Sequence, residues 1–169
     1  GGISTCDPWL QDCPDGEKCV AYQSVGDTWD ANKCVEVSGN GATGDPCTYD
    51  GAVAATDTCD GMNMCWDADA EGNGTCTSFC TGNANNPICD PSFSCSIANS
   101  GSIILCLANC DPLAQECNEG QGCFWEGTSF VCANAGDIPE GEPCGFINDC
   151  APGNLCANAD ALPACAGAS

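Results

Sequence analysis

The chain has no histidine and no arginine, and only two lysines stand against 24 acidic residues in 169. Its formal net charge of −22 opposes binding to nucleic acid and to anionic membrane surfaces, because like charges repel. Without histidine, nucleophilic catalysis lacks its usual general base. Carboxylate pairs are too numerous in so acidic a chain to indicate glycoside chemistry. The sequence therefore predicts a protein that is not an enzyme.

Long apolar runs are also missing, so no segment of the sequence is a candidate membrane-spanning helix. Much of the apolar content is alanine and cysteine, which leaves too little aliphatic material for a conventional core. The 20 cysteines indicate a disulfide scaffold instead, and such scaffolds persist in oxidising compartments. The chain starts at Gly1 without an apolar signal segment. We therefore expect a mature extracellular or cell-surface protein whose export signal has been removed.

The cysteines form a repeat of four. Within each copy, five residues separate the second cysteine from the third, and one further cysteine precedes and one follows that pair at looser spacing. Five modules result, at 6–34, 47–76, 80–106, 110–132 and 144–165. Every cysteine belongs to one of them. Repeats of this size are typical of arrays in which no unit buries a core alone.

The predicted fold is small, disulfide-rich and mainly β, with one antiparallel hairpin per module and an elongated rod overall. Three-residue joins, 77–79 and 107–109, should hold modules two, three and four rigidly. The longer links 35–46 and 133–143 are either hinges or segments packed along the array. The expected divisions are 1–34, 35–76, 77–106, 107–132 and 133–169.

A second level of repetition is visible. Modules one and four begin with the same residues in the same order, namely Cys, Asp, Pro, Gln, an acid and Cys, over the ranges 6–13 and 110–117. Modules two and five share a Gly-acid-Pro entry, at 44–46 and 141–143. The order is thus A-B, an odd middle module, then A-B again, which indicates duplication of a pair.

Spacing alone leaves disulfide connectivity open. We predict that the first cysteine pairs with the third and the second with the fourth, because crossed pairing ties the turn to both strands of a hairpin. Zinc-binding thiolates are the less favoured alternative, since zinc sites usually space paired cysteines by two to four residues. The predicted bridges are Cys6–Cys19, Cys13–Cys34, Cys47–Cys65, Cys59–Cys76, Cys80–Cys95, Cys89–Cys106, Cys110–Cys123, Cys117–Cys132, Cys144–Cys156 and Cys150–Cys165.

The pattern Gly-Glu-Pro-Cys144, Asp149-Cys150-Ala-Pro-Gly153, Cys156 and Cys165 resembles the cysteine-rich repeats of secreted and surface proteins from myxobacteria-like bacteria. It is also distantly similar to small animal modules of the Dickkopf and colipase type. The resemblance covers all five modules as a pattern of cysteine and glycine. It implies secretion and small hairpin units, and it supplies no catalytic residue.

One hairpin tip carries two weak candidate sites. Asp67, Asp69 and Glu71 occupy positions one, three and five of a helix–loop–helix calcium loop, with Gly72 at position six. Position twelve is Ser78 instead of glutamate, so a solvated acidic tip is favoured over a calcium site. The sequence indicates no cofactor other than this possible calcium ion. Asn73-Gly-Thr75 fits the N-glycosylation pattern on the same tip.

The four tryptophans are expected to cover disulfides, and stacking on a bound sugar is the less favoured interpretation. They are Trp9, Trp29, Trp66 and Trp125.

The leading hypothesis is a secreted structural subunit that self-associates head to tail in an extracellular filament, coat or matrix. The segment Gly1, Gly2, Ile3, Ser4 and Thr5 is the predicted connector, because it is short and suited to adding an edge strand to a neighbouring copy. The alternative is a surface-binding module for a carbohydrate, a protein or calcium.

Overall fold

A computed structural model of the chain describes residues 4–26 and 28–157. The secondary structure of these residues consists of short strands and a single 3-10 turn, η1 (Asn99–Gly101). The strands, in chain order, are β1 (Glu17–Tyr22), β2 (Ala31–Glu36), β3 (Pro46–Thr48), β4 (Asn63–Trp66), β5 (Asn73–Ser78), β6 (Thr81–Asn83), β7 (Asn86–Ile88), β8 (Phe93–Ala98), β9 (Ile103–Ala108), β10 (Gln121–Trp125) and β11 (Phe130–Asn134). The protein is therefore a small disulfide-rich β protein.

Four antiparallel hairpins carry the cysteine framework: β1–β2, β4–β5, β8–β9 and β10–β11. In modules one, two and four, the third and fourth cysteines stand directly opposite each other, as in the pair Cys19 and Cys34. Opposite residues of an antiparallel pair place their side chains on the same face. Both sulfurs therefore point to one side of the hairpin, where the first two cysteines of the module meet them.

Nine disulfides lie among the described residues, and they join the first cysteine of a module to the third and the second to the fourth. The sequence separations run from 12 to 21 residues. Cys150 is buried, and Cys165, its predicted partner, lies outside the described residues. The nine bridges are Cys6–Cys19, Cys13–Cys34, Cys47–Cys65, Cys59–Cys76, Cys80–Cys95, Cys89–Cys106, Cys110–Cys123, Cys117–Cys132 and Cys144–Cys156.

Module three departs from the expectation of one hairpin per module. A second hairpin, β6–β7, lies between Cys80 and Cys89, and all its residues from Thr81 to Ile88 are exposed. The side-chain oxygen of Asn83 accepts hydrogen bonds from the backbone N–H groups of Asn85 and Asn86, which closes the turn. This side-chain capping of a tight turn is a property of asparagine that the cysteine pattern does not encode.

The residue before the first cysteine completes the sheet of its own module. Pro46 pairs with Thr75, Phe79 bridges to Leu105, and Asn109 bridges to Val131. In each pair, both residues immediately precede a cysteine of the same module. The joins 77–79 and 107–109 are thus extended segments that leave the last strand of one module and pair within the next.

The two longer links are packed segments and not hinges. Gly41 donates its N–H to the carbonyl of Thr58 at 3.1 Å, and Ile138 donates in the same way to Asp149 at 3.2 Å. Both links form a parallel bridge to the second cysteine of the following module, Gly41 with Cys59 and Ile138 with Cys150. The same contact in both A-B pairs supports duplication of the pair.

The chain divides into two compact units. Unit 1 comprises 1–91 and 95–106, and unit 2 comprises 92–94 and 107–169, so the division runs through the β8–β9 hairpin. Within unit 1, module one contacts module two through Lys18 and Asp57, and it contacts module three through Asn32 and Ser102. A strictly linear array, in which each repeat touches only its sequence neighbours, does not predict the contact between modules one and three.

The interior is built from cysteine to an unusual degree. Of the 23 buried apolar residues in the described part of the chain, ten are cysteines, and those of module two form a cluster of four with Tyr49 packed against it. Lys18 is among the largest fully buried side chains of the described residues. Every buried side-chain nitrogen or oxygen among the described residues has a hydrogen-bond partner.

Gly39 and Gly136 give matched tests of the packed links. A Cβ at Gly39 would lie 1.9 Å from the Thr58 carbonyl oxygen, and one at Gly136 would lie 2.0 Å from that of Asp149. We expect Gly39→Ala and Gly136→Ala each to lower the free energy of unfolding by about 3 kcal/mol, because the backbone contact must open. Gly61→Ala is the control, since its nearest neighbour would be 3.7 Å away. Equal stability of all three variants in urea unfolding would contradict the packed-link arrangement.

Candidate functional site

An open polar cleft of about 510 Å³ lies in unit 1, between the start of module one and the η1 turn of module three. The side chains around it are carboxylic, hydroxylic or amide groups, with Cys6, Pro8 and Gly101 completing the wall. The polar lining residues are Ser4, Thr5, Asp7, Asp12, Asp30, Asn32, Asn99, Ser100 and Ser102. This is the candidate binding site of the described chain.

Hydrogen bonds to module one fix the η1 wall of this cleft. The Ser102 hydroxyl donates to the Trp29 carbonyl at 2.6 Å, and the Asn32 amide donates to the Ser102 carbonyl at 2.8 Å. Asn99, Ser100 and Gly101 follow one another with φ of 50°, 59° and 92°. Two successive non-glycine residues in the left-handed region are costly, and asparagine tolerates it best. The anchored Ser102 holds this conformation in place.

The carboxylates of the cleft are oriented by internal donors. Asp12 accepts the backbone N–H of Asp7 at 2.8 Å, and Asp7 accepts that of Trp9 at 2.9 Å. Asp30 accepts both the N–H and the hydroxyl of Ser24. The backbone hydrogen bond from Ser24 holds the pKa of Asp30 below its ordinary value, so this group is ionised at neutral pH. With no cationic side chain in its lining, the cleft suits hydroxylic or cationic ligands and disfavours anions.

Lys18 connects modules one and two from a fully buried position. Its Nζ lies 2.7 Å from Asp57 Oδ1 and also donates to the carbonyls of Cys59, Asp60 and Asn63. Asp57 in turn accepts the N–H groups of Cys59 and Cys65. Both charges are therefore compensated by each other and by backbone groups, as a buried ion pair requires.

Lys33 also makes intramolecular contacts. Its Nζ donates to the Val53 carbonyl at 2.8 Å and lies 4.8 Å from the centre of the Tyr22 ring. Both lysines of the chain thus join module one to module two. The exposed surface of the described residues is left with carboxylates that have few cationic neighbours.

Aromatic side chains gather at the same junction. The rings of Trp29 and Trp66 lie 5.8 Å apart, and the Trp29 indole N–H donates to the Tyr49 hydroxyl at 3.2 Å. Burial raises the pKa of Tyr49, and the hydrogen bond from Trp29 opposes that rise. In module four, Trp125 and Phe130 lie 5.1 Å apart. Trp29 and Trp66 therefore pack on each other across two modules, a contact that the expectation of tryptophans covering disulfides did not include.

The predicted calcium loop is a hairpin tip whose central carboxylate is occupied by internal donors. Asp69 accepts the backbone N–H groups of Glu71 and Asn73, and it also accepts the Asn73 side-chain amide. The Asn73 backbone hydrogen bond is the main cause that lowers the pKa of Asp69. Asp67, Asp69 and Glu71 do not form a convergent ligand cluster among the described residues. Asn73 is exposed, although its amide faces the Asp69 carboxylate.

We expect at most millimolar calcium binding at this tip, because Asp69 must give up its N–H donors to serve as a ligand. Titration calorimetry with calcium chloride measures it, and Asp69→Asn is the matched variant since it keeps the side-chain shape. Micromolar affinity that is lost in Asp69→Asn would contradict the expectation.

Other groups of three potential metal ligands within the described chain are all cysteine triplets, one per module. In modules one to four, every sulfur of the triplet belongs to a disulfide. Bridged sulfurs have no thiolate to offer a metal. Zinc is therefore not supported in these four modules.

The predicted connector lies only partly within the described residues, since Gly1, Gly2 and Ile3 are outside them. The Thr5 N–H donates to the Asn32 carbonyl at 2.8 Å, and the Asn32 N–H donates to the Ser4 hydroxyl at 3.0 Å. Ser4 and Thr5 thus lie along β2 of their own chain. Any strand that this segment adds to a neighbour must come from residues 1–3 or must displace these bonds.

One structural residue of the A modules escaped the sequence reasoning. Gln11 has a φ of 48°, donates to the Pro8 carbonyl and accepts the N–H of Cys19. Gln115 repeats all three features with Pro112 and Cys123, at a φ of 51°. The shared glutamine in the two openings was the available signal, and its role is to hold the third cysteine of the module.

No family model, curated protein or solved structure matches the chain. No helix in the described part of the chain is long and apolar enough to cross a membrane. The disulfide content fits an oxidising, extracellular setting.

Proposed function

We propose that this chain is a secreted, non-enzymatic structural protein that assembles head to tail with its own copies in an extracellular filament, coat or matrix. The observation that carries the proposal is the repeated junction. The last strand of one module leads directly into the residue that completes the next, as at Phe79 and Asn109. A further copy can be joined in the same way at the end of the chain. A head-to-tail contact that does not close into a ring generates filaments.

The packed links strengthen this proposal. Both A-B pairs are held by the same backbone contacts, from Gly41 to Thr58 and from Ile138 to Asp149. A disulfide-closed unit resists unfolding and proteolysis, as a structural protein outside the cell must. The charge of −22 opposes self-association, so assembly depends on cations or on apolar and backbone contacts.

Electron microscopy of the oxidised protein tests assembly directly, with regular fibres as the expected result. Variants that lack residues 1–3 or 1–5 should remain folded, because the Cys6–Cys19 bridge still anchors the first module, and they should no longer polymerise. Retained tryptophan fluorescence and the absence of free thiols establish that they are folded. Fibres formed by the shortened chains would contradict the role of residues 1–5 as the connector. An intact protein that stays monomeric would contradict filament assembly itself.

The polar cleft favours a second candidate, a surface-binding module for a carbohydrate. Its oriented carboxylates, hydroxyls and amides are complementary to sugar hydroxyls, and its volume fits a small saccharide. Screening of neutral oligosaccharides with the intact protein tests this function. Binding should weaken in Asp12→Ala, since Asp12 is an exposed residue of the lining, and should persist in Asp15→Ala, an exposed acid that does not line the cleft.

A further inference from the structure

Charge is distributed very unevenly along the chain. Residues 72–109 contain a single charged residue, Asp90, and all other charged residues of this strongly acidic protein lie outside that segment. The segment includes the whole of module three. Its neutrality has no role in the disulfide framework, because modules one, two and four close the same bridges although they contain several carboxylates.

The β6–β7 hairpin is the exposed part of this neutral segment. All eight residues from Thr81 to Ile88 are exposed, and Ile88 retains 52% of its surface. In the other described modules no pair of strands lies between the first and second cysteines, although module two has an antiparallel bridge there between Tyr49 and Asp57. Module three therefore presents an exposed hairpin that carries no charged residue.

The hydrogen-bonding groups of this hairpin are self-complementary. Threonine hydroxyls and asparagine amides each offer both donors and acceptors, whereas carboxylates only accept. The side-chain amides of Asn85 and Asn86 take no part in the hydrogen bonds of the described residues, since Asn83 caps the turn through its own oxygen. Two ionised carboxylates cannot hydrogen-bond to each other, whereas two asparagine amides can.

We propose that the β6–β7 hairpin is a docking surface for the same hairpin of a second copy, related by a twofold axis. An isologous contact of this kind is self-limiting and joins two molecules side by side. The inference rests on the proposed function, because it supplies a lateral contact between head-to-tail assemblies.

Electrostatic screening makes the contact feasible. Three-residue strands reach about 10 Å, which exceeds the screening length of about 8 Å at physiological ionic strength. A contact between two neutral tips therefore keeps the carboxylates of the two molecules apart by more than the distance over which they repel strongly. Contacts through the acidic modules have no such separation.

The test introduces a charge at Ala84, an exposed residue of the hairpin turn, and uses Ala114 of module four as the matched control. Ala84→Glu places two like charges across the proposed twofold axis, and self-association should weaken by about three- to tenfold at low salt. Ala114→Glu adds the same charge to an already acidic module and should behave like the wild type. Sedimentation velocity gives the association constants, and microscopy gives filament width.

The outcomes separate this inference from the proposed function. Paired filaments that become single only in Ala84→Glu support both proposals. Wild-type dimers without filaments, dissociated by Ala84→Glu alone, support the hairpin contact and overturn head-to-tail assembly. Equal self-association of the Ala84→Glu and Ala114→Glu variants overturns the hairpin contact but leaves head-to-tail assembly intact if filaments form. Wild-type monomers under all ionic conditions overturn both.

Discussion

Replacing Lys18 with methionine should lower the free energy of unfolding by about 3–5 kcal/mol, the cost of leaving one member of a buried ion pair without its partner. The ammonium group satisfies the Asp57 carboxylate and three backbone carbonyls, and both side chains are fully buried. Methionine fills a similar volume but donates no hydrogen bond, so four acceptors lose their donor. Urea unfolding followed by tryptophan fluorescence measures the loss, because Trp29 and Trp66 meet at the same junction.

Lys33 supplies the control for this experiment. It also bonds a carbonyl of module two, but that of Val53, which is 66% exposed. Lys33→Met should therefore cost less than about 1 kcal/mol, as exposed charged contacts usually do. Comparable stability of the two methionine variants would contradict a special role for Lys18.

The second A-B pair indicates what happens when both charges are absent. Lys18 directly precedes the third cysteine of module one, and the corresponding residue in module four is Gly122. Asp57 lies two residues before the second cysteine of module two, and the corresponding residue in module five is Asn148. The backbone contacts of the links are nevertheless the same in both pairs. We therefore expect the double variant Lys18→Met/Asp57→Leu to recover part of the stability that Lys18→Met loses.

The second large effect concerns oxidation. All 20 cysteines should be paired, so alkylation of the native protein without reductant should add no label. A digest under non-reducing conditions should yield a peptide that joins Cys150 to Cys165, the one predicted bridge outside the described residues. Each loop of about 15 residues that a disulfide closes contributes on the order of 3 kcal/mol in the chain-entropy model. Reduction should therefore abolish the fold altogether, as seen by loss of the near-ultraviolet circular dichroism.

A single-bridge variant refines this expectation. Cys59 and Cys76 are fully buried in the module two cluster, and their replacement by alanine should cost about 2–5 kcal/mol. Cys144 and Cys156 are only half-buried, so their replacement should cost less. Two or more alkylated thiols in the untreated native protein would contradict full pairing, and a reduced protein that keeps its fold would contradict the cysteine-based core.

The cysteine spacing contained most of the local structure. A fixed gap of five residues places the second and third cysteines at the two ends of a turn that leads into a hairpin, and the fourth cysteine then lies opposite the third. Gly16, at the middle of the first such gap, has a φ of 86°, as its position in a tight turn indicated. Local patterns of this kind predict local structure because the chain closes these contacts within about 20 residues.

The contacts between modules were not predictable in the same way. Lys18 and Asp57 are 39 residues apart, and Asn32 and Ser102 are 70 apart, with no periodic pattern to relate them. The β6–β7 hairpin was not predicted because residues 81–88 show no alternation of apolar and polar side chains, and its turn depends on one side-chain cap at Asn83. The cleft depends on these long-range contacts. The sequence therefore shows which polar residues are present but does not predict that they line one cleft.

The burial of Lys18 has a consequence for proteases that cut after basic residues. Such enzymes need an extended, accessible bond, and this chain offers them only the bonds after Lys18 and Lys33. The first lies within β1 beside a fully buried side chain, and the second lies within β2 directly before a bridged cysteine. Trypsin-like enzymes should therefore cleave the folded protein very slowly. Of the two lysines, Lys33 is the more accessible to labels that react with amines.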